Sequence, residues 1–192
     1  CRFQCADYLT DGMHDRIQRI AFANSTELAH GFAEYAAGVL SHAIEKQQTA
    51  SLVVPGGRTP RAYFPVLAKQ SLPWGRVTIT LSDERWVDTD SENSNERLVR
   101  ENLLDLLPEE AHFVGLKTRH DIPEEAIPEI SQRLAAIPQP FTLTILGLGE
   151  DGHIASLFPC LRLHEKRDNA AQPACLAVRP VPAEPPRISL SL

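Results

Sequence analysis

Short apolar runs, typical of buried strands, alternate along this chain with longer segments of helical periodicity. Parallel strands need long crossover connections, so this alternation predicts an α/β fold with a mostly parallel sheet. We expect a three-layer, Rossmann-like arrangement with helices on both faces of the sheet. The strands are predicted at residues 50–54, 77–81, 141–146, 176–178 and 187–192.

Capping residues mark the predicted helix starts. Asn24 and Glu27 have the spacing of a capping box, and Thr59 precedes a proline that suits a first helical position. Ser94 and Asp121 are the caps predicted for the two later helices. The first helix is predicted to be long and amphipathic. Its apolar face is predicted from residues that recur at helical intervals, which are Leu28, Phe32, Tyr35, Val39 and Ala43.

Length and composition favour one domain. The chain has 192 residues, 43% of them hydrophobic, which is enough for one sizeable core. We expect a lead-in segment at residues 1–24 and a single α/β domain over residues 25–192. The last predicted strand stops abruptly, so we also expect this domain to be truncated at its C-terminus.

Charge and cysteine content exclude several function classes. The formal net charge is −6 and no basic cluster is present, so we expect no nucleic-acid partner. No apolar run approaches the ~18 residues of a membrane span, and no signal peptide is recognisable, so we expect a cytoplasmic protein without a membrane partner. Cys1, Cys5, Cys160 and Cys175 lack metal-site spacing and are expected to be unpaired thiols.

The string Pro-Gly-Gly-Arg-Thr-Pro at residues 55–60, which we call the glycine loop, lies between a predicted strand and a helix start. Backbone N–H groups there could bind an anion at the positive end of the helix, although a simple tight turn explains the glycines equally well. Arg58 and Arg61 favour the anion. The phosphate-binding residues proposed in this loop are Gly56, Gly57, Arg58 and Thr59.

A second glycine-rich segment, Gly-Leu-Gly-Glu-Asp-Gly-His at residues 147–153, follows the predicted strand at 141–146. It matches the dinucleotide pattern G-x-G-x-x-G, but Glu150 and Asp151 would place negative charge against a pyrophosphate. We therefore favour His153, which can exchange protons near neutral pH, as a general base. A structural loop histidine is the alternative. Asp151 and His153 lack a third ligand with convincing spacing, so we expect no metal.

Asp83, Glu84 and Arg85 follow the predicted strand at residues 77–81. The carboxyl ends of parallel strands commonly form the ligand site in such sheets, so these side chains could face the same crevice as His153. An ordinary solvated charge cluster is an equally good interpretation of these residues alone.

Three strings together resemble the 6-phosphogluconolactonase family, within the group that includes glucosamine-6-phosphate deaminase and ribose-5-phosphate isomerase. They are the glycine loop, Ser-Asp-Glu-Arg-Trp-Val at residues 82–87 with Ser94 and Asn95 after it, and Gly-Leu-Gly-Glu-Asp-Gly-His-Ile-Ala-Ser-Leu-Phe-Pro at residues 147–159. The last is the most specific. The likeness extends from about residue 25 to residue 192.

The resemblance implies hydrolysis of 6-phospho-D-glucono-1,5-lactone to 6-phospho-D-gluconate, a step of the pentose phosphate pathway. It implies that the glycine loop holds the phosphate of this sugar lactone and that His153 activates water. Arg187 would help to hold the phosphate, and Arg85 would bind substrate. Asp83 and Asp151 would complete the catalytic group, and no cofactor is expected.

Two departures and two alternative functions remain open. Pro55 and Arg58 replace the serine of many relatives, which puts hydroxyl contacts to the phosphate in doubt. The first alternative is a glucosamine-6-phosphate deaminase or sugar-phosphate isomerase. Those deaminases resemble this chain up to Ile154 but then carry an Asn–Glu pair, whereas this chain continues with Ser156-Leu-Phe158 and has no carboxylate. The second is a non-catalytic sugar-phosphate sensor, which would have no need of His153.

Overall fold

The computed structural model describes residues 18–161, 173–180 and 184–191, which contain two sheets. The strands are β1 (Ala50–Val54), β2 (Val77–Leu81), β3 (Asp83–Arg85), β4 (His112–Val114), β5 (Leu143–Thr144), β6 (Cys175–Val178) and β7 (Arg187–Leu190). The helices are α1 (Ser25–Gln47), α2 (Pro60–Ala68), α3 (Asn95–Asn102) and α4 (Pro123–Ala135).

The central sheet is parallel, with the strand order β4-β2-β1-β5. Every residue of β1 is buried, as expected for a strand whose two faces are both covered. The core continues into α1 and α2, which pack against each other, through residues such as Leu40 and Phe64. The predicted α/β class with a mostly parallel sheet is confirmed.

The smaller sheet is antiparallel, with the order β3-β7-β6. Its strand β3 was expected only as a charged segment at the end of β2, whereas it pairs residue by residue with β7. The Ser82 N–H donates to the Val54 carbonyl and the Leu190 N–H donates to the Ser82 carbonyl, so Ser82 joins the two sheets. The pairing places Arg187 directly opposite Arg85.

The start of α1 was predicted correctly, but its buried face only in part, since Phe32 and Ala43 are half-buried against the core. Asn24 accepts a hydrogen bond from the Glu27 N–H at 2.9 Å, as the capping box requires. Tyr35, predicted to be buried, is 59% exposed. Small side chains allow α1 to pack closely, and the buried face consists of Ala29, Ala33, Ala36, Leu40 and Ile44.

Two other helix caps differ from the prediction. Thr59 holds the N-cap position of α2, but its side chain makes no capping hydrogen bond and its backbone is already helical. The N-cap of α4 is Ile122 rather than Asp121, because Pro123 fits the first helical turn without a side-chain cap. Ser94 caps α3 as predicted, accepting from the Arg97 N–H at 3.2 Å.

The strand predictions vary in accuracy. β1 and β2 match their predicted bounds, whereas β5 is shorter than predicted and β4 was not predicted. Cys160 and Cys175 are free thiols, while Cys1 and Cys5 lie outside the described residues. None of the helices in the described ranges combines the length and the apolar character needed to cross a bilayer.

Candidate active site

A cleft of about 200 Å³ lies where the glycine loop, β3 and the segment after β5 come together. Every predicted site residue except Asp151 lines it, although these residues come from four separate parts of the sequence. The predicted residues in its wall are Gly56, Gly57, Arg58, Thr59, Asp83, Arg85, His153 and Arg187.

The glycine loop needs both of its glycines. Gly57 has a φ of +97°, a left-handed conformation that residues with a Cβ rarely adopt. At Gly56 a Cβ would collide with the amide of Asn95, so the loop can approach α3 closely only without a side chain. The loop leads directly into α2. The positive N-terminal end of this helix provides a suitable environment for an anion.

The turn that carries His153 is closed by its own backbone. The Gly149 N–H donates to the His153 carbonyl at 2.8 Å, and the Gly152 N–H donates to the Gly149 carbonyl at 2.9 Å. Gly152 has a φ of +84°, and a Cβ at Gly149 would overlap the His153 imidazole. The G-x-G-x-x-G string thus fixes the position of a histidine.

Asp151 orients the His153 imidazole. The Asp151 Oδ1 atom lies 2.5 Å from His153 Nδ1 and also accepts from the His153 N–H at 3.3 Å. The hydrogen bonds from His153 lower the pKa of Asp151, so this carboxylate stays ionised at neutral pH. With Nδ1 engaged, Nε2 is the ring nitrogen left for proton transfer.

Asp83 has a different environment from Asp151. It is buried, and its Oδ2 accepts from the Ser156 hydroxyl at 2.6 Å. Its Oδ1 accepts from Asn95 Nδ2 at 3.3 Å and from the Ser82 hydroxyl at 3.2 Å. Asp83 therefore joins the His153 turn to β3 and α3, and no hydrogen bond in the described part of the chain connects it to His153.

Arg85 and Arg187 give the cleft positive charge. Arg85 Nη1 donates to the Asn93 carbonyl at 2.7 Å, and Arg187 Nη2 donates to Glu184 at 2.5 Å. The Nε atom of each arginine is buried without a hydrogen-bond partner among the described residues. Buried donors without acceptors are costly, so both side chains are suited to receiving an anionic ligand.

Glu84, which lies between Asp83 and Arg85 in the sequence, has a structural role. Its carboxylate is fully buried and accepts from the backbone N–H groups of Asn95 and Glu96 at 2.7 Å each and from the Ser94 hydroxyl at 3.0 Å. Burial raises the pKa of Glu84, and these hydrogen bonds oppose that effect. Glu84 thereby holds the start of α3, and with it Asn95, against β3.

Asn95 and Ser156 were not predicted as site residues. Asn95 is almost fully buried, lines the cleft and leaves its Oδ1 without a partner in the described structure. Ser156 is fully buried between Asp83 and Arg187, whose Nη1 lies 3.5 Å from its hydroxyl. Each residue lies within one of the strings that carry the family resemblance, and this was the sequence signal for it. The buried contacts of Asn95 and Ser156 could not be predicted from the sequence.

No group of three or more His, Cys, Asp or Glu side chains within the described residues is arranged to bind a metal ion. The cleft brings cationic side chains and a helix start together with an oriented imidazole. Such a site can bind an anionic group and transfer a proton near it.

Comparison with known proteins identifies the family. The model of the family described as glucosamine-6-phosphate isomerases/6-phosphogluconolactonase matches residues 23–192. The chain belongs to this family. The 6-phosphogluconolactonase of Rhizobium meliloti is 39% identical over 171 residues, which is 88% of this chain and 74% of that protein.

Other members of the family support the same placement. The 6-phosphogluconolactonase of Pseudomonas aeruginosa is 41% identical over 138 residues, 72% of this chain but only 58% of that protein. The crystal structure of a 6-phosphogluconolactonase from Shewanella baltica superposes with a TM-score of 0.83 at 40% identity, covering 88% of this chain and 72% of that one. The chain thus spans between about three fifths and three quarters of the length of these relatives.

Proposed function

We propose that this chain is a 6-phosphogluconolactonase, a hydrolase that opens 6-phospho-D-glucono-1,5-lactone to 6-phospho-D-gluconate, with His153 as the general base. The observation that carries the proposal is the joint presence, in one cleft, of an imidazole oriented by Asp151 and a cationic, glycine-lined wall. The family placement and the names of the similar proteins support the same reaction.

The phosphate binds at the glycine loop in this proposal. The N–H groups at the start of α2 and the guanidinium groups of Arg58 and Arg187 supply the positive charge. Pro55 cannot donate a hydrogen bond through its side chain, so the backbone of Gly56 and Gly57 takes the place of a serine hydroxyl.

His153 Nε2 removes a proton from water, and the resulting hydroxide attacks the lactone carbonyl. The developing oxyanion is stabilised by Arg85, whose buried Nε has no competing partner within the described residues. The ring oxygen then leaves and receives the proton from His153. We propose no cofactor, because the lactone is an activated ester whose leaving group stays attached to the product.

A glucosamine-6-phosphate deaminase or a sugar-phosphate sensor would use the same phosphate wall. The deaminases that the sequence resembles carry an Asn–Glu pair after the shared Asp-Gly-His-Ile segment, whereas this chain continues with Ser156, Leu157 and Phe158 and has no carboxylate there. A sensor would not require the short hydrogen bond between Asp151 and His153. The lactonase accounts for both features.

The direct test is hydrolysis of freshly prepared 6-phosphoglucono-δ-lactone at neutral pH, with spontaneous opening subtracted. His153→Ala should reduce turnover by about 10²- to 10⁴-fold, the usual contribution of a general base. His42→Ala is the matched control, because His42 is an exposed histidine on α1. A loss below tenfold in His153→Ala would refute the assignment of the base.

A second set of assays distinguishes the lactonase from the two alternative functions. If the unaltered chain does not accelerate lactone opening, ammonia release from glucosamine 6-phosphate tests the deaminase. Binding of 6-phosphogluconate without turnover of either substrate would instead indicate a sensor.

A further inference from the structure

One aromatic ring behind the cleft contacts two of the groups that form it. The centroid of the Phe158 ring lies 4.6 Å from that of the His153 imidazole, and the two rings are tilted by 35°. The Arg187 guanidinium carbon lies 5.2 Å from the same Phe158 centroid. His153 and Arg187 line the cleft, so Phe158 lies next to both the proton-transfer group and an anion-binding group.

The hydrogen bond from Asp151 is a weak restraint by itself. The Asp151 side chain is 57% exposed and that of His153 is 31% exposed, and ion pairs in such settings contribute little because water and salt screen them. Oδ1 of Asp151 meets the imidazole at one ring nitrogen, which leaves rotation about that contact free. Gly149 approaches the ring closely at Nδ1 and Cε1, and Phe158 provides a further contact with the ring.

We propose that Phe158 is a positioning residue that holds the His153 imidazole and the Arg187 guanidinium at a fixed separation. This inference rests on the proposed function, because it assigns the two held groups to proton transfer and phosphate binding. Phe158 acts through them: it is half-buried and is not part of the cleft wall.

The chemistry of the ring suits the reaction better than an aliphatic side chain would. His153 becomes a cation when it accepts a proton from water, and Arg187 is already one. The face of a phenyl ring attracts cations within about 6 Å, whereas an aliphatic side chain has no such attraction. The interaction with His153 therefore strengthens as the proton moves, which lowers the barrier and affects kcat.

Phe158→Leu and Phe158→Tyr test the role of the aromatic face. Phe158→Leu should lower kcat about tenfold, the effect of losing roughly 1.4 kcal/mol of transition-state stabilisation. Phe158→Tyr keeps the ring and should retain kcat within about twofold. Phe113→Leu is the matched control, because Arg100 lies 5.0 Å from the Phe113 ring, outside the residues that line the cleft.

A double-mutant cycle shows whether Phe158 acts through His153. In the His153→Ala background, Phe158→Leu should cause no further loss of kcat, while KM for the lactone still rises because Arg187 is no longer held. Three results would each overturn the inference. The first is an unchanged kcat in Phe158→Leu, and the second is the same fold-loss of kcat with and without His153. The third is a Phe158→Tyr variant whose kcat is as low as that of Phe158→Leu.

These outcomes are distinct from a failure of the proposed function. If His153→Ala keeps its activity, the general base is wrong, whatever Phe158 does. If His153→Ala loses activity but the effects of His153→Ala and Phe158→Leu simply add, only the positioning role is wrong. Melting temperatures of all variants exclude a loss that comes from unfolding.

Discussion

Gly149→Ala should remove activity without destabilising the protein. A Cβ at Gly149 would lie 2.8 Å from Asp151 Oδ1 and closer still to His153 Nδ1. An ordinary contact begins near 3.4 Å, so the imidazole has to retreat by about 1 Å. A displacement of that size in a reacting group can cost about 100-fold in rate, so we expect kcat to fall by about that factor.

The fold itself should tolerate this change. The φ of Gly149 is not in the left-handed region, and the two groups that must move belong to an exposed turn. A glycine-to-alanine change at a permitted φ typically adds about 0.4–1 kcal/mol by restricting the unfolded chain. Urea unfolding of Gly149→Ala should therefore give a midpoint no lower than that of the unaltered chain.

The assay is lactone hydrolysis at saturating substrate, with Gly38→Ala as the control. Gly38 lies on an exposed face of α1 with open space where a Cβ would stand, so its variant should keep full activity. If Gly149→Ala retains kcat within about threefold, the close approach of Gly149 does not set the position of the imidazole. A large drop in stability would equally refute the reasoning.

Two further predictions concern stability. Ser156→Ala removes a buried hydroxyl that donates to the Asp83 carboxylate, so it should cost about 1.5–3 kcal/mol in urea unfolding; a loss below about 0.5 kcal/mol would contradict this. The hydrogen bond from Arg179 lowers the pKa of Glu124, so the pair stabilises the fold above the ordinary carboxyl pKa near 4.3 and loses that effect as pH falls through the lowered value. Because the pair is largely exposed, Arg179→Gln should lower the melting temperature only slightly at pH 7 and not at all near pH 2, measured by thermal melts.

The sequence predicted the parts of the fold that depend on local pattern. β1 was found because a short apolar run marks a strand buried on both faces, and β2 because its alternating Val, Thr, Ile, Thr and Leu form a strand pattern. Asn24 was found because its cap is formed within three residues. The buried face of α1 was predicted only in part, because periodicity was judged mainly from large side chains. Alanines such as Ala33 and Ala36 pack closely and carry little hydrophobic signal.

The site was predictable to the extent that its residues lie at strand ends. The glycine loop and His153 follow β1 and β5, and their proximity follows from the rule that parallel strands present their carboxyl ends at one edge. The environments of the carboxylates could not be predicted in this way. Asp83 and Asp151 have the same chemistry in the sequence, yet one is buried among hydrogen-bond donors and the other is exposed beside an imidazole.

The pairing of β3 with β7 explains why two arginines lie together in the cleft. Arg85 and Arg187 occupy directly opposite positions in an antiparallel ladder, where like charges repel each other. The Glu184 carboxylate offsets part of the positive charge of Arg187, and the Asn93 carbonyl accepts a hydrogen bond from Arg85. The remaining Nε donors have no acceptor within the described residues, so a bound dianion such as a phosphate would relieve both the repulsion and the unmet hydrogen bonds. In the proposed function, a phosphate bound between the two guanidinium groups would offset this repulsion, which would favour anionic ligands.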